Sequence, residues 1–207
     1  SLGLRLMEKL ELYLYRQSVA VVALTNAFKA NLQGRGIDPD KIEVVINGVD
    51  TWRYGPREAD PGLAQETGLN NKFVVGYVGT HGMAHALVNV LDAAEKLRDE
   101  KNIAFLLAGG GAERESLVAD AKRRGLDNVT FLERQPKERM PAVWSLCDVA
   151  LVHLKNSDVF LDVIPSKMFE AMAMGLPILM ASPEGEASAI LETEKAGIHV
   201  PAEDYSA

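Results

Sequence analysis

The sequence predicts an α/β fold: a Rossmann-like parallel sheet with helices on both faces. Two observations carry this. From residue 73 onward, apolar runs of strand length alternate with segments of helical period, and that alternation builds a parallel sheet covered on both sides. Glycine-rich turns, G-T-H-G at 79–82 and G-G-G at 109–111, follow two of these runs. They fall at the carboxyl ends of the strands, where such sheets bind ligands.

In chain order, residues 1–17 carry Leu4, Met7, Leu10, Tyr13 and Leu14 at helical spacing. This amphipathic helix is expected to pack on the chain's own surface or on a second copy. It begins without a cap, as a piece of a longer chain would. Residues 19–24 read as a buried strand, and Thr25 caps a helix running to about Gln33, ended by Gly34 and Gly36. Residues 42–46 are a short strand before the Asn47-Gly48 turn signal. Residues 52–62 hold Pro, Gly and charges without periodicity and read as a linker. The boundary is drawn there: residues 1–52 end one α/β unit, and 53–207 form a second, truncated at its C-terminus.

In the second unit the strands are 73–78, 103–108, 128–132, 149–154, 177–181 and 197–200. The helices between them are 84–99, 112–124, 137–145, 165–175 and 186–195. Met140 and Trp144 point inward from the third of these. Pro165 and Ser166 start the fourth, Gly175 stops it, and Phe169, Met172 and Ala173 mark its apolar face.

Composition narrows the function. The chain has 207 residues, 47% hydrophobic and 25% charged, which is ordinary for a globular protein. A net charge of −7 leaves no basic surplus for sequence-independent nucleic-acid binding. The single cysteine, Cys147, excludes an intrachain disulfide, fits a reducing compartment and lies in an apolar run as a small buried hydrophobe would. No apolar run approaches the length needed to cross a membrane as a helix.

The stretch D-V-I-P-S-K-M-F-E-A-M-A-M-G at 162–175 carries the strongest chemistry. A helix start at Pro165 and Ser166 offers free N–H groups and a partial positive charge, which suits a phosphate. Lys167 adds a full charge there, and Glu170, one turn on, is an acceptor for sugar hydroxyls. The alternative is an ordinary βα unit whose Lys and Glu face water. The turn Gly79-Thr80-His81-Gly82 is a second phosphate candidate, or else simply a tight βα turn. It lacks the glycine spacing of a dinucleotide fingerprint and is not a Walker loop. His81 and His85 stand four apart but need not share a face, and no acidic or cysteine ligand lies beside them, so no metal is predicted. Asp162 and Glu170, on a loop and a helix, fit ligand holding better than glycosidase chemistry. Glu133 and Arg134 follow a strand and either edge a base or face solvent.

Taken together, these residues resemble the donor-binding, C-terminal half of a retaining GT-B glycosyltransferase that uses nucleotide-diphosphate sugars. I-N-G-V-D-T at 46–51 is similar to that family's interdomain connection, F-L-L-A-G-G-G at 105–111 to its second-strand turn, and N-V-T-F-L at 128–132 and C-D-V-A-L at 147–151 to its next strands. I-P-S-K-M-F-E-A-M-A-M-G-L-P-I at 164–178 is the most specific match, ending a pattern of two acids eight apart. The resemblance implies that Glu170 holds the ribose and that Asp162, where Glu is usual, contacts the donor sugar. Thr80 and His85 stand where the family often has Arg and Lys on the diphosphate. That contact then falls to Lys167, to backbone N–H groups and to Thr80 or His81. Within the family the motifs resemble bacterial cell-surface polysaccharide transferases of the N-acetyl-fucosamine transferase kind.

The implied partners are a nucleotide-diphosphate sugar, a UDP-sugar foremost, and a saccharide or lipid-linked acceptor held by a domain the chain mostly lacks. No metal or other cofactor is expected. A homodimer through residues 1–17 is a further expectation. The implied location is cytoplasmic, with the inner-membrane surface as the alternative for a full-length protein. A sugar-nucleotide epimerase of similar fold and a non-catalytic nucleotide-binding module are the competing readings.

Overall fold

The computed structural model describes residues 2–205. Four elements form a small first unit: α1 (Leu2–Gln17), β1 (Val21–Ala23), α2 (Asn26–Gly34) and β2 (Ile42–Val44). A larger unit follows, with α3 (Pro61–Thr67), β3 (Phe73–Val78), α4 (Val88–Lys96), β4 (Ile103–Ala108), α5 (Arg114–Arg124) and β5 (Val129–Leu132). It continues through α6 (Met140–Trp144), β6 (Val149–His153), α7 (Ser166–Ala173), β7 (Ile178–Ala181), α8 (Glu186–Thr193) and β8 (Gly197–Val200).

β1 and β2 pair in parallel, and the larger sheet is parallel throughout, in the order β5-β4-β3-β6-β7-β8. The chain winds outward from β3 in one direction and from β6 in the other, which makes their junction the switch point. Pairing of β3 with β6 ends at Gly76 and Ala150, short of the end of β3. The two strands therefore part at their carboxyl ends and leave a crevice.

Alternation of side chains along the strands feeds two cores. Leu106 and Ala108 of β4 point to the layer of α3, α6, α7 and α8. Phe105 and Leu107 point to the layer of α4 and α5. Leu106 and Leu107 are fully buried, and each stabilises the fold by about 2 kcal/mol relative to exposure. Cys147 is also buried here. A Cβ on Gly76 would stand 2.1 Å from its sulfur, and burial pushes the thiol up to about 12.

Four local expectations are corrected. The linker expected over residues 52–62 is irregular as far as Asp60, but its last two residues already belong to α3, whose start is capped by the Asp60 carboxylate accepting from Leu63 N–H at 2.8 Å, with Pro61 in the first turn. The single helix expected over 84–99 is a 3-10 turn, Met83–His85, then Ala86 at φ 43°, and only then α4. The most buried stripe of α7 is Met168 and Ala171, while Phe169, Met172 and Ala173 are only partly buried. Finally, Leu4, Met7, Leu10, Tyr13 and Leu14 of α1 do not pack on the chain's own core. Each is more than half exposed, and Leu12 and Tyr15 make the contact instead. The Thr25 cap behaves as expected, accepting from Phe28 N–H at 3.0 Å.

The turns after β3 and β4 lie against each other. Gly79 N–H donates to the Ala108 carbonyl at 2.9 Å and His81 N–H to the Gly110 carbonyl at 2.9 Å. Gly109 has φ 144°, and a Cβ there would stand 1.9 Å from the Gly79 carbonyl oxygen. Gly109→Ala is therefore expected to destabilise the protein by about 3 kcal/mol in urea unfolding, from strain and overpacking together. Gly48→Ala, where nothing lies within 4 Å, is expected to stay within about 0.5 kcal/mol. Equal effects at the two positions would refute the close approach.

Candidate functional site

The crevice at the switch point continues into two adjoining cavities that share Val78, Gly79, Thr80 and Met140. One, of about 570 Å³, runs over Gly109, Gly110 and Gly111 to Glu133, Arg134 and Gln135. The other, of about 370 Å³, is lined by His85, Pro165, Ser166, Lys167 and Glu170 among others. Most of the sequence-predicted residues thus meet in one groove. Glu133 and Arg134 stand exposed at its rim. Gly82 and Asp162 do not line either cavity. Gly82 precedes the 3-10 turn, and Asp162 is tied through its carbonyl, which accepts from Thr25 Oγ1 at 2.9 Å.

Lys167 lies in the first turn of α7, where the Ser166 and Lys167 N–H groups precede the first intrahelical acceptor. The residue is half-buried, but its Nζ is enclosed and has no hydrogen-bond partner. The ammonium rests 3.7 Å from the centroid of the Tyr77 ring. It lies directly beneath the turn: a Cβ on Gly79 would be 2.9 Å from it. Burial pulls Lys167 down from its ordinary 10.5 to about 7, with the Glu170 charge opposing the shift. A half-charged amine without an acceptor is poised for an anion.

Glu170 is held from behind. Its Oε2 accepts from the Trp144 indole N–H at 2.9 Å, and Trp144 is fully buried. Burial, and next the Glu170 carboxylate beside it, pushes the Tyr54 phenol up to about 12. Tyr54, Trp144 and Tyr77 are absent from the sequence-predicted site. Trp144 and Tyr77 carry a signal in hindsight, since an aromatic residue with a polar handle inside an apolar run needs a partner when buried. Tyr54 carries none.

The histidines differ from expectation. His81 is fully buried, with both ring nitrogens enclosed and unpartnered, and its ring packs 6.0 Å from Tyr77 and 6.4 Å from Phe131. Its N–H is used by Gly110 and its carbonyl by Glu113, so its backbone shapes the turn, and His81 lines neither cavity. Burial, then Arg114, Lys167 and His85, push it down to about 4. His85 does line the groove, and burial and Lys167 likewise lower it to about 4. The N–H groups of Gly79 and His81 are engaged internally, and α4 starts only at Val88, so a helix N-terminus does not follow the turn as the sequence suggested. Among the described residues no group of three or more His, Cys, Asp or Glu is placed to hold a metal. None of the described helices is long and apolar enough to cross a membrane.

The strand order and the groove at its switch point define a Rossmann-like nucleotide-binding type of α/β domain. The chain belongs to the glycosyl transferases group 1 family, which residues 62–207 match, while residues 1–53 match glycosyltransferase family 4. It is 36% identical over 106 residues to WcaI of Escherichia coli strain K12, a glycosyl transferase named for colanic acid biosynthesis, covering 51% of this chain and 26% of that protein. It is 33% identical over 164 residues to a D-inositol 3-phosphate glycosyltransferase of Nocardia farcinica, covering 75% of this chain and 35% of that one. Among solved structures it is similar to HepE of Anabaena in complex with UDP and glucose, with a TM-score of 0.79 at 21% identity, covering 95% of this chain and 53% of HepE. That likeness establishes the GT-B fold. The chain spans about half the length of HepE and less of the two relatives.

Lys167 makes stability pH-dependent with a definite sign. Between about 7 and 10.5 the unfolded chain holds a proton on this amine that the folded one has lost. Stability therefore rises with pH across that window, by up to about 1.4 kcal/mol per unit. Lys167→Met is expected to remove the rise and to be more stable than wild type at pH 7, in denaturant unfolding followed from pH 6 to 10. Parallel curves for the two proteins would show that the amine is solvated.

Proposed function

We propose that this chain is the donor-binding part of a retaining glycosyltransferase and binds a nucleotide-diphosphate sugar, a UDP-sugar foremost. The observation that carries this reading is Lys167 Nζ, enclosed without a hydrogen-bond acceptor at the first turn of α7, with the Glu170 carboxylate one turn further on. A diphosphate supplies the missing acceptor, together with the Ser166 and Lys167 N–H groups. The ribose then reaches Glu170, and the base extends over Gly109–Gly111 to Glu133 and Arg134. Asp162, on the loop before α7, lines neither cavity and is assigned to the sugar by the resemblance alone. Diphosphate contacts of this kind stabilise the leaving group electrostatically and need no metal. The complexes of HepE with UDP and with UDP-glucose support the donor class, and WcaI supports polysaccharide biosynthesis of the cell surface. A transferase of the N-acetyl-fucosamine transferase kind, acting on a saccharide or lipid-linked acceptor, is the most specific form of the proposal. Transfer belongs to the full-length protein, where an acceptor held in line lowers the barrier by roughly 7–11 kcal/mol. The cytoplasm, or the inner-membrane surface facing it, is the place of that reaction.

Calorimetry with UDP and uridine tests the reading. Lys167→Met is expected to weaken UDP about 10- to 100-fold, the worth of a charge-assisted contact of roughly 1.5–3 kcal/mol, and uridine less than twofold. Absence of UDP, GDP and ADP binding to wild type would overturn it, as would equal losses for UDP and uridine.

Glu170→Gln probes the ribose. Glutamine keeps an oxygen for Trp144 and turns an amide donor toward the sugar hydroxyls. UDP is expected to lose about tenfold in affinity, and 2′-deoxy-UDP clearly less. Identical losses would remove the 2′-hydroxyl as a partner.

A further inference from the structure

His85 and His153 hold each other in a reciprocal clasp. His85 Nδ1 lies 3.3 Å from the His153 carbonyl, and His153 Nδ1 lies 2.7 Å from the His85 carbonyl. A carbonyl oxygen only accepts, so each Nδ1 must carry the proton. In a neutral imidazole the other nitrogen is then a bare acceptor. For His85 that nitrogen is Nε2. It makes no hydrogen bond within the protein and is not enclosed, on a residue that lines the cavity of Lys167, Ser166 and Glu170.

Burial first, and its neighbours next, keep His85 neutral. Lys167 of α7 faces it with a positive charge, His81 of the same turn and His153 of β6 bring none of opposite sign, and the Tyr77 ring stands edge-on at 5.7 Å. Of the nearby carboxylates, Glu203 acts on His153 and Glu170 lines the same cavity as His85. The site therefore offers a cation and a neutral acceptor to the same cavity. A phosphate oxygen finds a partner in the first and repulsion from the second, because two lone pairs would face each other. An O–H group fits the second.

We propose that His85 reads a hydroxyl of the transferred sugar through Nε2, and that the backbone carbonyl of His153 fixes its tautomer. This rests on the nucleotide-sugar reading of the groove. It assigns His85 a polarity opposite to that of the Lys that the resembling family often has at this place. Lys167 and His85 together suit a ligand that presents an anion next to a hydroxyl; a sugar diphosphate adds such hydroxyls on the far side of the diphosphate, where UDP has none.

Two measurements test the proposal. The first is affinity, for UDP, UDP-glucose, UDP-galactose and UDP-N-acetylglucosamine. Wild type is expected to hold at least one of the sugar nucleotides more tightly than UDP. His85→Phe is expected to lose about five- to tenfold in affinity for that sugar nucleotide while UDP changes less than twofold, which also shows that the variant is folded. The second is the ring-nitrogen NMR spectrum, simple to assign because the chain has 4 histidines. His85 is expected to show a protonated Nδ1 and a bare Nε2 at pH 7, with the Nε2 signal moving on addition of the sugar nucleotide but not of UDP. His153→Val keeps the backbone carbonyl that accepts from His85 Nδ1 and is expected to leave the His85 tautomer unchanged.

An equal loss of UDP and sugar nucleotide in His85→Phe would overturn the proposal, as would a protonated Nε2 or a wild type that prefers none of the sugars to UDP. A wild type that binds no nucleotide at all would instead bring down the reading of the groove on which it rests.

Discussion

An enclosed ammonium without an acceptor constrains everything around it. Lys167 Nζ is kept by the Tyr77 ring on one side and the Gly79 turn on the other. Burying even a partly charged amine in this way costs free energy that only an arriving anion can recover. Its charge adds to burial in holding His85 neutral and contributes, after burial and Arg114, to the neutrality of His81. Gly79 has φ 151°, a conformation that favours glycine, and a Cβ there would also crowd the amine at 2.9 Å. The cation thus lies against the turn above it and bears on the protonation of the rings beside it.

The acidic side of the groove is built by a different principle. Glu170 is not left to solvent but is oriented by the Trp144 indole, fixing the carboxylate before any ligand binds. Pre-orientation of this kind lowers the entropy lost on binding. The loop that carries Asp162 is anchored from the first unit. Thr25 Oγ1 donates to the Asp162 carbonyl, while the Asn26 and Ala27 N–H groups at the start of α2 donate to the Glu186 carboxylate of α8. An acidic group at a helix N-terminus is favourable by charge as well as by hydrogen bonding. The two units therefore meet at the loop that leads into α7.

Much of the fold was legible in the sequence because its signals are local. All six strands of the large sheet, and α2, α5, α6, α7 and α8, were expected within a few residues of their observed bounds. The α3 helix was legible too, through Asp60 and Pro61, but its charged surroundings masked a period only two turns long. The break before α4 was not: nothing about Ala86 announces a left-handed backbone, since alanine is among the best helix formers. The outward stripe of α1 followed the periodicity correctly. Which face found a core was settled instead by the small cluster under Leu12 and Tyr15 and by the Arg35 pair with Glu11.

The sequence by itself determined the parallel α/β fold, the two glycine turns and the candidacy of Lys167, Glu170 and His85, because period, turn chemistry and residue type act over a few neighbouring residues. The tertiary structure alone decided what those groups are. Lys167 becomes a half-charged amine because β3, from far along the chain, places Tyr77 and Gly79 around it. The His81 ring is fully buried beside Tyr77 and Phe131, while the turn after β4 takes up its backbone. His85 becomes an acceptor because β6 brings the His153 carbonyl to its Nδ1. Protonation and polarity depend on burial and on neighbours across the sheet, and those are fixed only when the strands come together.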